Sequence, residues 1–466
     1  MKLPAQAFRE YDIRGVADRD LTDEVAHGIG RGYGTVLGAG VAGKKVRVAV
    51  GRDCRLSSDR LFAALVDGLV KSGVHVVEVG VGPTPMLYAS VFALDPDGGI
   101  MITGSHNPGD ENGFKIMRGK ASFFGPDIQA LRKLIEEERF VTPAAPGSLE
   151  RVDMTGKYVE MVTSGIRLAR TDLKFVVDAG NGAGGPLALA CMKKLGLSPD
   201  ALFCDMDGRF PNHHPDPSMP KNLEALIRRM GETGARVGIA YDGDADRLGA
   251  VDANGEIIWG DKLMILFSRA LLADHPGATI LGEVKCSQTL YDDIAKHGGR
   301  AIMWKTGHSL IKTKMKQEHA LLAGEMSGHL FFADRFFGYD DAIYASLRLL
   351  EILSRDPRSL TEMLADVPRT FATPELRVDC PDAIKFDVVA AVRKHYEAAG
   401  RPVVDIDGAR ISFGTLDDPA WGLVRASNTG PVLVLRFEAG APDRLEALRS
   451  QVEKVVAGAR ARLGAA

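Results

Sequence analysis

Residues 46–80, VRVAVGRDCRLSSDRLFAALVDGLVKSGVHVVEVG, contain a strand pattern, a helix pattern and a second strand pattern in succession. VRVAVG (46–51) and VHVVEVG (74–80) are short apolar runs typical of buried strands, and LFAALVDGLVKSG (61–73) has the spacing of an amphipathic helix. GGIMITG (98–104) predicts a further strand. Strands that alternate with helices predict a parallel sheet with helices on its faces. The stretch therefore places the chain in the α/β class.

The same alternation begins again near residue 174 and once more near residue 261. VTPAAPGSLE (141–150) and VPRTFATPE (367–375) have the composition of linkers. After the second linker, a helix, short neighbouring strands and a last helix predict a smaller α+β domain. Four domains leave a central cleft as the expected binding site. The predicted domains are residues 1–150, 151–254, 255–368 and 369–466.

Composition excludes several classes of protein. The chain has 466 residues, and its net charge of -3 gives no reason to expect nucleic acid. The five cysteines are scattered without a C-x-x-C motif, which indicates free thiols in a reducing cytoplasm. The first residues lack the apolar region of a signal peptide, and no run of 18 apolar residues occurs. We therefore expect a cytoplasmic protein that binds neither membranes nor nucleic acid.

The stretch TGSHNPGDENGFKI (103–116) places Ser105 in a run of turn-forming residues directly after a predicted strand. Lys115 follows ten positions later. A serine in such a loop is usually part of an ordinary surface turn. A functional interpretation of Ser105 therefore depends on other motifs.

Three aspartates alternate in DGDADRLG (242–249), at the end of a strand pattern: Asp242, Asp244 and Asp246. In an extended backbone these side chains point the same way and repel one another unless a cation lies among them. Oxygen ligands select a hard ion, above all Mg²⁺. The alternative is a solvated acidic turn. A calcium-binding EF-hand is excluded, because Arg247 and Ala253 stand where its glycine and closing glutamate are required.

Two further loops have polar side chains suited to a phosphorylated sugar. In GEMSGHLFF (324–332), Glu325, Ser327 and His329 alternate, so we expect them on one face of an extended segment. A carboxylate beside a hydroxyl suits sugar hydroxyls, and the imidazole can move a proton. RASNTGP (425–431) combines an arginine, three oxygen-bearing side chains and a turn, as a phosphate cradle does. Taken separately, a half-exposed strand and an ordinary polar turn are the alternatives.

Two other stretches resemble ligand motifs but favour structural roles. DAGNGAGGP (178–186) has the G-x-G-x-x-G spacing of dinucleotide sites, with Asp205 at a suitable distance. The glycines concerned are Gly180, Gly182 and Gly185. A close strand-to-helix turn without a ligand explains them equally well, and we expect no nicotinamide cofactor. His213 and His214 resemble a metal pair, but adjacent residues point apart and flanking prolines form a loop.

The serine, aspartate, sugar and phosphate stretches together resemble the α-D-phosphohexomutase superfamily, and look closest to its bacterial phosphomannomutase/phosphoglucomutase branch. The likeness extends from FREYDIRG (8–15) to RASNTGP, with the motifs in the family's order. Met326 favours that branch, since the glucosamine branch usually has Gln there. The resemblance implies three related mixed α/β domains, followed by a TATA-binding-protein-like α+β domain, around a central cleft.

The resemblance also implies roles for individual residues. Ser105 is the phosphorylated serine, and its phosphate joins Asp242, Asp244 and Asp246 around Mg²⁺. Other groups are implied near the reacting centre: Arg14, His106, Lys115, Arg247 and His329. Substrate contacts are implied for Tyr11, Lys285, His308, Glu325, Ser327, Arg425, Ser427, Asn428 and Thr429. Which of His329, Lys115 and Arg247 transfers protons stays open.

The implied reaction moves phosphate between the first and sixth positions of mannose and glucose phosphates. A hexose 1,6-bisphosphate is the implied intermediate and activator, and it must turn end for end. We expect a monomer with hexose phosphates as its substrates. Three alternatives remain: a phosphoglucosamine mutase, a phosphoserine-dependent sugar-phosphate hydrolase, and a non-catalytic phosphosugar sensor.

Overall fold

The strand–helix–strand pattern of residues 46–80 is present in the computed structural model. The structure describes residues 3–39, 45–415, 418–428 and 430–464. Strands Arg47–Arg52 and His75–Val81 are parallel neighbours, and helix Ser58–Lys71 connects them. The helix packs its apolar face against the sheet, as its amphipathic spacing predicts. The predicted α/β class is confirmed.

The first sheet combines parallel and antiparallel pairs. Its strands are β1 (Ile13–Val16), β2 (Arg47–Arg52), β3 (His75–Val81), β4 (Gly98–Ile102), β5 (Glu111–Arg118), β6 (Ala121–Ser122) and β7 (Ser148–Arg151). Its helices are α1 (Asp23–Val36), α2 (Ser58–Lys71), α3 (Thr84–Leu94) and α4 (Pro126–Glu136). The strand order is β1-β5-β4-β2-β3-β7, with β6 beside β5. β2 is parallel to β3 and β4, whereas β5 is antiparallel to β4 and β1.

Two sequence predictions for this region are wrong. The sheet is mixed rather than parallel, because the connection from β4 to β5 is a short loop without a crossover helix. The stretch 141–150 is not wholly a linker, since Ser148–Arg151 forms edge strand β7 beside β3. All its side chains are exposed, so no apolar pattern in the sequence indicates this strand.

The second and third sheets share a layout in which parallel strands are extended by an antiparallel pair. The second contains β8 (Phe175–Asp178), β9 (Asp200–Leu202), β10 (Val237–Tyr241), β11 (Leu248–Asp252) and β12 (Ile257–Ile258), in the order β12-β11-β10-β8-β9. The third contains β13 (Thr279–Glu283), β14 (Arg300–Trp304), β15 (Leu322–Gly324) and β16 (Leu330–Phe332), in the order β14-β13-β15-β16. Their helices are α5 (Thr155–Thr163), α6 (Gly185–Lys194), α7 (Glu224–Thr233), α8 (Gly260–Asp274), α9 (Gln288–Lys296), α10 (His308–Glu318), α11 (Ala342–Arg355) and α12 (Leu360–Met363).

The fourth sheet is antiparallel in its described pairings, as the α+β pattern predicts. It contains β17 (Phe371–Ala372), β18 (Leu376–Asp379), β19 (Val403–Val404), β20 (Ala409–Ser412), β21 (Ala420–Ala426) and β22 (Val432–Ala439). Helices α13 (Lys385–Ala398) and α14 (Pro442–Arg462) pack on it around a separate apolar core. The other three sheets contribute to one continuous apolar cluster that extends from Ala49 to Met363. The exact domain boundaries stay a prediction.

Each of the four polar motifs connects two antiparallel neighbouring strands. The serine loop joins β4 to β5, and the aspartate loop joins β10 to β11. The GEMSGH loop joins β15 to β16, and the RASNTG loop joins β21 to β22. In α/β sheets, ligands bind beyond the carboxyl ends of the strands, which is where these loops begin. The shared position explains how residues far apart in sequence meet at one site.

Among the described residues, no helix combines the length and apolarity needed to cross a membrane. All five cysteines are free thiols.

Helices α1 and α2 cross where two glycines let their backbones touch. A methyl group added at Gly68 would lie 2.2 Å from the carbonyl oxygen of His27, and one at Gly30 would lie 2.3 Å from that of Leu65. Backbone atoms cannot yield as a flexible side chain can. The first domain therefore depends on glycine at this crossing.

We predict that Gly68→Ala destabilises the protein by about 1–3 kcal/mol, the usual cost of overpacking. The change should appear as a lower midpoint in urea unfolding. Gly231→Ala in helix α7 is the matched control, since an added methyl there meets nothing within 4 Å. It should leave stability unchanged or raise it by up to about 1 kcal/mol. Equal stability of the two variants would contradict the close crossing.

Candidate active site

Ser105 occupies a strained position at the centre of the molecule. Its φ angle is +49°, which is uncommon for a residue with a side chain, and it is only 1% exposed. Its backbone N–H donates to Thr103 Oγ1 at 2.8 Å. Its hydroxyl donates to Asp242 Oδ2 at 2.7 Å, across to the second sheet. The serine is thus turned inward toward the aspartate loop and is no part of an ordinary surface turn.

Asp242, Asp244 and Asp246 converge, but not in the way that the sequence argument proposed. They lie on a turn beyond the end of β10, where Ala245 has a φ of +53°, and not on an extended strand. All three are fully buried, and one carboxylate oxygen from each lies within 4.8 Å of the others. The expectation of alternation in an extended backbone is wrong, because the chain reverses here to begin β11. The turn achieves the clustering instead.

The aspartate cluster fits a hard cation. Asp242 Oδ1 accepts the backbone N–H groups of Asp246 and Arg247, each at 3.1 Å, which fixes the turn. Thr84 donates its hydroxyl to Asp244 Oδ2. Asp244 Oδ1 is buried without a hydrogen-bond donor, an arrangement that is costly unless another positive partner binds it. Three converging carboxylates and one such oxygen are the donor set that Mg²⁺ prefers.

Lys115 supplies positive charge to this cluster. Its Nζ atom lies 2.7 Å from Asp244 Oδ2 and also contacts Asp246 Oδ2. Burial opposes a charge on this amine, but Asp244 and Asp246 outweigh it and raise the pKa of Lys115. Burial and the two neighbouring carboxylates raise the pKa of Asp242 well above its ordinary value. The cluster therefore holds more negative charge than Lys115 alone balances.

Glu325, Ser327 and His329 also meet through a turn, so the predicted extended alternation is wrong here as well. His329 Nδ1 lies 2.6 Å from Glu325 Oε2 and 3.3 Å from Ser327 Oγ. His329 Nε2 lies 3.2 Å from Asp246 Oδ1, and Arg247 Nε approaches the same nitrogen at 3.3 Å. Burial lowers the pKa of His329, yet Asp246 and Glu325 raise it to about 9. The imidazole joins the sugar loop to the aspartate cluster.

His106 and Arg14 flank the serine loop without contacting the Ser105 hydroxyl. His106 Nδ1 lies 3.3 Å from Asp216 Oδ2, and burial together with Arg247 lowers the pKa of His106 to about 4. Arg14 donates from Nη1 to Asn107 Oδ1 at 3.1 Å. His106 is therefore neutral near neutral pH, and Arg14 holds the side chain of Asn107 in the serine loop.

Lys285 and His308 lie on the third-sheet side of the centre. Lys285 Nζ is 3.2 Å from Glu375 Oε2 and 3.6 Å from Glu283 Oε1; these carboxylates raise its pKa against the effect of burial. His308 Nδ1 is 3.5 Å from Asp340 Oδ2. Burial and neighbouring lysines hold the pKa of His308 well below its ordinary value. Lys285 is therefore a cation and His308 a neutral imidazole near neutral pH.

The RASNTGP loop, for which the sequence predicts a phosphate cradle, contacts the first domain through Asn428. Asn428 Nδ2 donates to the Tyr11 hydroxyl at 2.8 Å, and this hydroxyl donates to the Thr306 carbonyl at 2.8 Å. Arg425 Nε donates to Asp407 Oδ2 at 3.1 Å. Ser427 lies in the same loop, and Thr429 lies outside the described residues. Through Tyr11, these contacts join the first domain to the third and fourth.

The glycine-rich stretch has structural contacts that need no nucleotide. A methyl group at Gly182 would lie 2.7 Å from the Gly243 carbonyl oxygen, and one at Gly185 would lie 2.2 Å from that of Cys204. The Ala183 N–H donates to Gly243 O at 2.8 Å, so this stretch supports the aspartate loop. The two histidines also have protein partners: His213 binds Asp178, and His214 binds the His106 carbonyl.

Three supporting residues have no place among the sequence motifs. Thr84 binds the aspartate loop through side chain and backbone. Glu283 accepts the Met326 N–H at 2.9 Å and the Thr306 hydroxyl at 2.6 Å. Lys385 donates to the carbonyl oxygens of Ser427 and Gly430. Only Glu283 carries a sequence signal, as a charged residue ending an apolar strand.

Four consecutive parts of the chain match described families. Residues 5–142 match "Phosphoglucomutase/phosphomannomutase, alpha/beta/alpha domain I", residues 156–255 match domain II, and residues 259–371 match domain III. Residues 375–455 match the corresponding "C-terminal domain".

Individual proteins are similar over nearly the whole length. A phosphomannomutase/phosphoglucomutase from Pseudomonas putida is 45% identical over 447 residues, which are 96% of this chain and 94% of the relative. A phosphoglucomutase from Neisseria meningitidis is 44% identical over 453 residues, 96% of each chain. The crystal structure of a phosphoglucomutase/phosphomannomutase family protein from Burkholderia thailandensis is 43% identical, with a TM-score of 0.89 over 98% of both chains.

We predict that Asp244→Asn weakens Mg²⁺ binding by roughly tenfold or more, because ligand charge sets the affinity of such oxygen sites. Calorimetric titration of the purified protein measures this directly. Asp205→Asn is the matched control, since this aspartate is exposed and outside the cluster. An unchanged Mg²⁺ affinity in Asp244→Asn would exclude the cluster as the metal site.

Proposed function

This chain belongs to the phosphoglucomutase/phosphomannomutase family and is a hexose phosphate mutase, and on that premise we propose its mechanism. Ser105 carries a phosphoryl group, donates it to a hexose phosphate, and regains a phosphoryl group from the resulting hexose 1,6-bisphosphate. The single observation that carries this proposal is the placement of Ser105. It is buried at positive φ, with its hydroxyl 2.7 Å from one of three clustered carboxylates.

The charges at the centre support this role. A phosphoserine carries roughly -1.5 to -2 charges, which the neighbouring aspartates would repel. Mg²⁺ held by Asp242, Asp244 and Asp246 would neutralise phosphate oxygens as a Lewis acid. Lys115 contributes a further positive charge through its contacts with Asp244 and Asp246. Phosphoryl transfer depends mainly on this kind of positioning and charge stabilisation.

The attacking sugar hydroxyl must lose a proton, and we assign this transfer to the neutral form of His329, whose pKa of about 9 lies below those of Lys115 and Arg247. Its imidazole lies between Glu325 and Asp246, at the junction of the sugar loop and the aspartate cluster. Against the effect of burial, Asp244 and Asp246 raise the pKa of Lys115 above its already high ordinary value. A guanidinium such as Arg247 does not deprotonate in proteins. Position and pKa together therefore favour the histidine over the other two candidates.

The remaining loops suit a substrate that binds in two orientations. We propose that Glu325 and Ser327 bind the third and fourth hydroxyls of the hexose, with Lys285 and His308 beside them. Arg425, Ser427, Asn428 and Thr429 are proposed to hold whichever phosphate is distant from Ser105, with Tyr11 at the edge of that loop. Such contacts avoid the second carbon, where glucose and mannose differ.

The names of relatives at 44–45% identity support glucose and mannose phosphates over the glucosamine alternative. The polar loop around Asn428 and Arg425 supports a mutase over a hydrolase, which needs no second phosphate site. We also propose a cytoplasmic monomer, and the five free thiols agree with a reducing compartment.

We predict that Ser105→Ala loses nearly all interconversion of glucose 1-phosphate and glucose 6-phosphate, measured with a hexose 1,6-bisphosphate primer. Intact-mass spectrometry should detect one phosphate on the wild-type chain and none on the variant. Ser164→Ala, at an exposed serine, is the control and should retain both activity and phosphate. Full turnover by Ser105→Ala would contradict the phosphoserine mechanism.

The wild-type protein distinguishes the two alternative functions. Stoichiometric release of free phosphate would favour the hydrolase, and sugar-phosphate binding without turnover would favour the sensor.

We predict that Ser327→Ala lowers kcat/KM for glucose 1-phosphate and mannose 1-phosphate by the same factor, about 5- to 30-fold, the effect of one lost hydrogen bond to substrate. The two sugars differ only at the second hydroxyl, which Ser327 is not proposed to contact. Steady-state kinetics on glucose, mannose and glucosamine 1-phosphates provide the measurement. A loss confined to one of the first two sugars would overturn the assignment to the third and fourth hydroxyls.

A further inference from the structure

The guanidinium of Arg55 lies directly against the loop that carries Ser105. The Arg55 side chain is fully buried. Its Nη2 atom donates to the carbonyl oxygens of Ser105 at 2.7 Å and Asn107 at 2.6 Å. Its Nη1 atom donates to the carbonyl oxygens of Glu111 at 3.0 Å and Pro108. The Arg55 guanidinium therefore binds four backbone carbonyl oxygens of the serine loop.

The loop is built to fit this guanidinium. A methyl group at Gly104 would lie 2.5 Å from Arg55 Cζ and Nε, so only glycine allows the backbone to pass. Asp53 accepts the Gly104 N–H at 3.2 Å and lies 3.3 Å from Arg55 Nε. The Phe210 ring, from the second domain, lies 5.1 Å from the guanidinium carbon. The serine loop, Asp53 and the Phe210 ring thus surround the Arg55 guanidinium.

Arg55 and Asp242 hold opposite ends of Ser105. The carbonyl oxygen of Ser105 binds Arg55, and its hydroxyl binds Asp242. This pair of contacts accounts for the positive φ of Ser105, a conformation that persists only where its surroundings enforce it. The four carbonyl oxygens are also engaged by a cation, which reduces their repulsion of a phosphate on the serine.

We propose that Arg55 is a positioning residue for phosphoryl transfer. It fixes the backbone of residues 104–111, so that the Ser105 oxygen keeps one position while the bisphosphate intermediate turns between the two transfers. This inference rests on the proposed phosphoserine mechanism and extends it to a residue outside the four motif loops. Arg55 acts through the loop backbone and is assigned no substrate contact.

The test compares Arg55→Lys and Arg55→Ala with Arg52→Lys. An ammonium cannot span four carbonyl groups as a planar guanidinium does. A misplacement of about 1 Å costs on the order of 100-fold in rate, so kcat should fall about 10-fold in Arg55→Lys and about 100-fold in Arg55→Ala. KM for glucose 1-phosphate should change by less than about threefold, since uniform substrate binding is untouched.

Arg52→Lys is the matched control, since Arg52 ends strand β2 three residues before Arg55. Arg52 pairs with Asp59 at 2.6 Å and Glu78 at 2.9 Å and lies over the Phe62 ring, so its partners belong to other parts of the first domain than the serine loop. Its kcat should stay within about twofold of wild type, because lysine keeps the positive charge opposite Asp59 and Glu78 and the serine loop is untouched. Added guanidinium chloride at low millimolar concentration should restore part of the activity of Arg55→Ala, whereas potassium chloride should not.

Hydrogen exchange tests, independently of turnover, whether Arg55 holds the backbone of the serine loop. Amides of residues 104–111 should exchange faster in both Arg55 variants than in wild type and Arg52→Lys. The inference is overturned if both Arg55 variants keep the wild-type kcat. It is also overturned if KM changes by as large a factor as kcat, or if the amides of residues 104–111 exchange at the wild-type rate. If Arg55→Ala does not fold, Arg55→Lys carries the same test. An active Ser105→Ala variant would instead refute the phosphoserine mechanism, while the exchange measurement would still decide whether Arg55 holds the loop.

Discussion

The structure depends on keeping several negative groups together at a buried centre. Asp242, Asp244 and Asp246 are fully buried within reach of one cation, and the Ser105 hydroxyl contacts the first of them. Buried charges of one sign are stable only when positive partners surround them. Lys115 provides one such partner from the first sheet. The site is therefore assembled from two sheets, with the three aspartates on a loop of the second sheet and Lys115 on the first.

Residues far apart in the sequence come together because the four polar loops occupy equivalent positions, each between two antiparallel strands of its sheet. Ser105 joins the first loop to the second, His329 joins the third to the second, and Asn428 joins the fourth loop to Tyr11 of the first domain. Tyr11 also contacts Thr306, in the segment between β14 and α10. The proposed phosphoserine and the proposed phosphate cradle thus lie on loops of the first and fourth domains. A reaction in which the substrate binds in both orientations needs two such phosphate sites.

The sequence predicted the strand–helix alternation, the chain order of the motifs and the residues that cluster, since these depend on local pattern and chemistry. It did not predict how the clusters form: Asp242–Asp246 and Glu325–His329 converge through turns, which polar alternation cannot distinguish from strands. Strand β7 was missed because its side chains are exposed. Arg55 and Lys385 were missed because they bind backbone carbonyl oxygens of distant residues, which leave no mark on the sequence pattern.

The central claim is that the phosphoryl group on Ser105 passes to the substrate and returns. The most direct measurement is a single turnover with isotope-labelled phosphate on the purified enzyme and excess unlabelled glucose 6-phosphate. The account predicts that the label leaves the protein and appears in glucose 1,6-bisphosphate and then in glucose monophosphates. Label that remains on the protein while substrate is converted, or that appears as free phosphate at the rate of turnover, would contradict it.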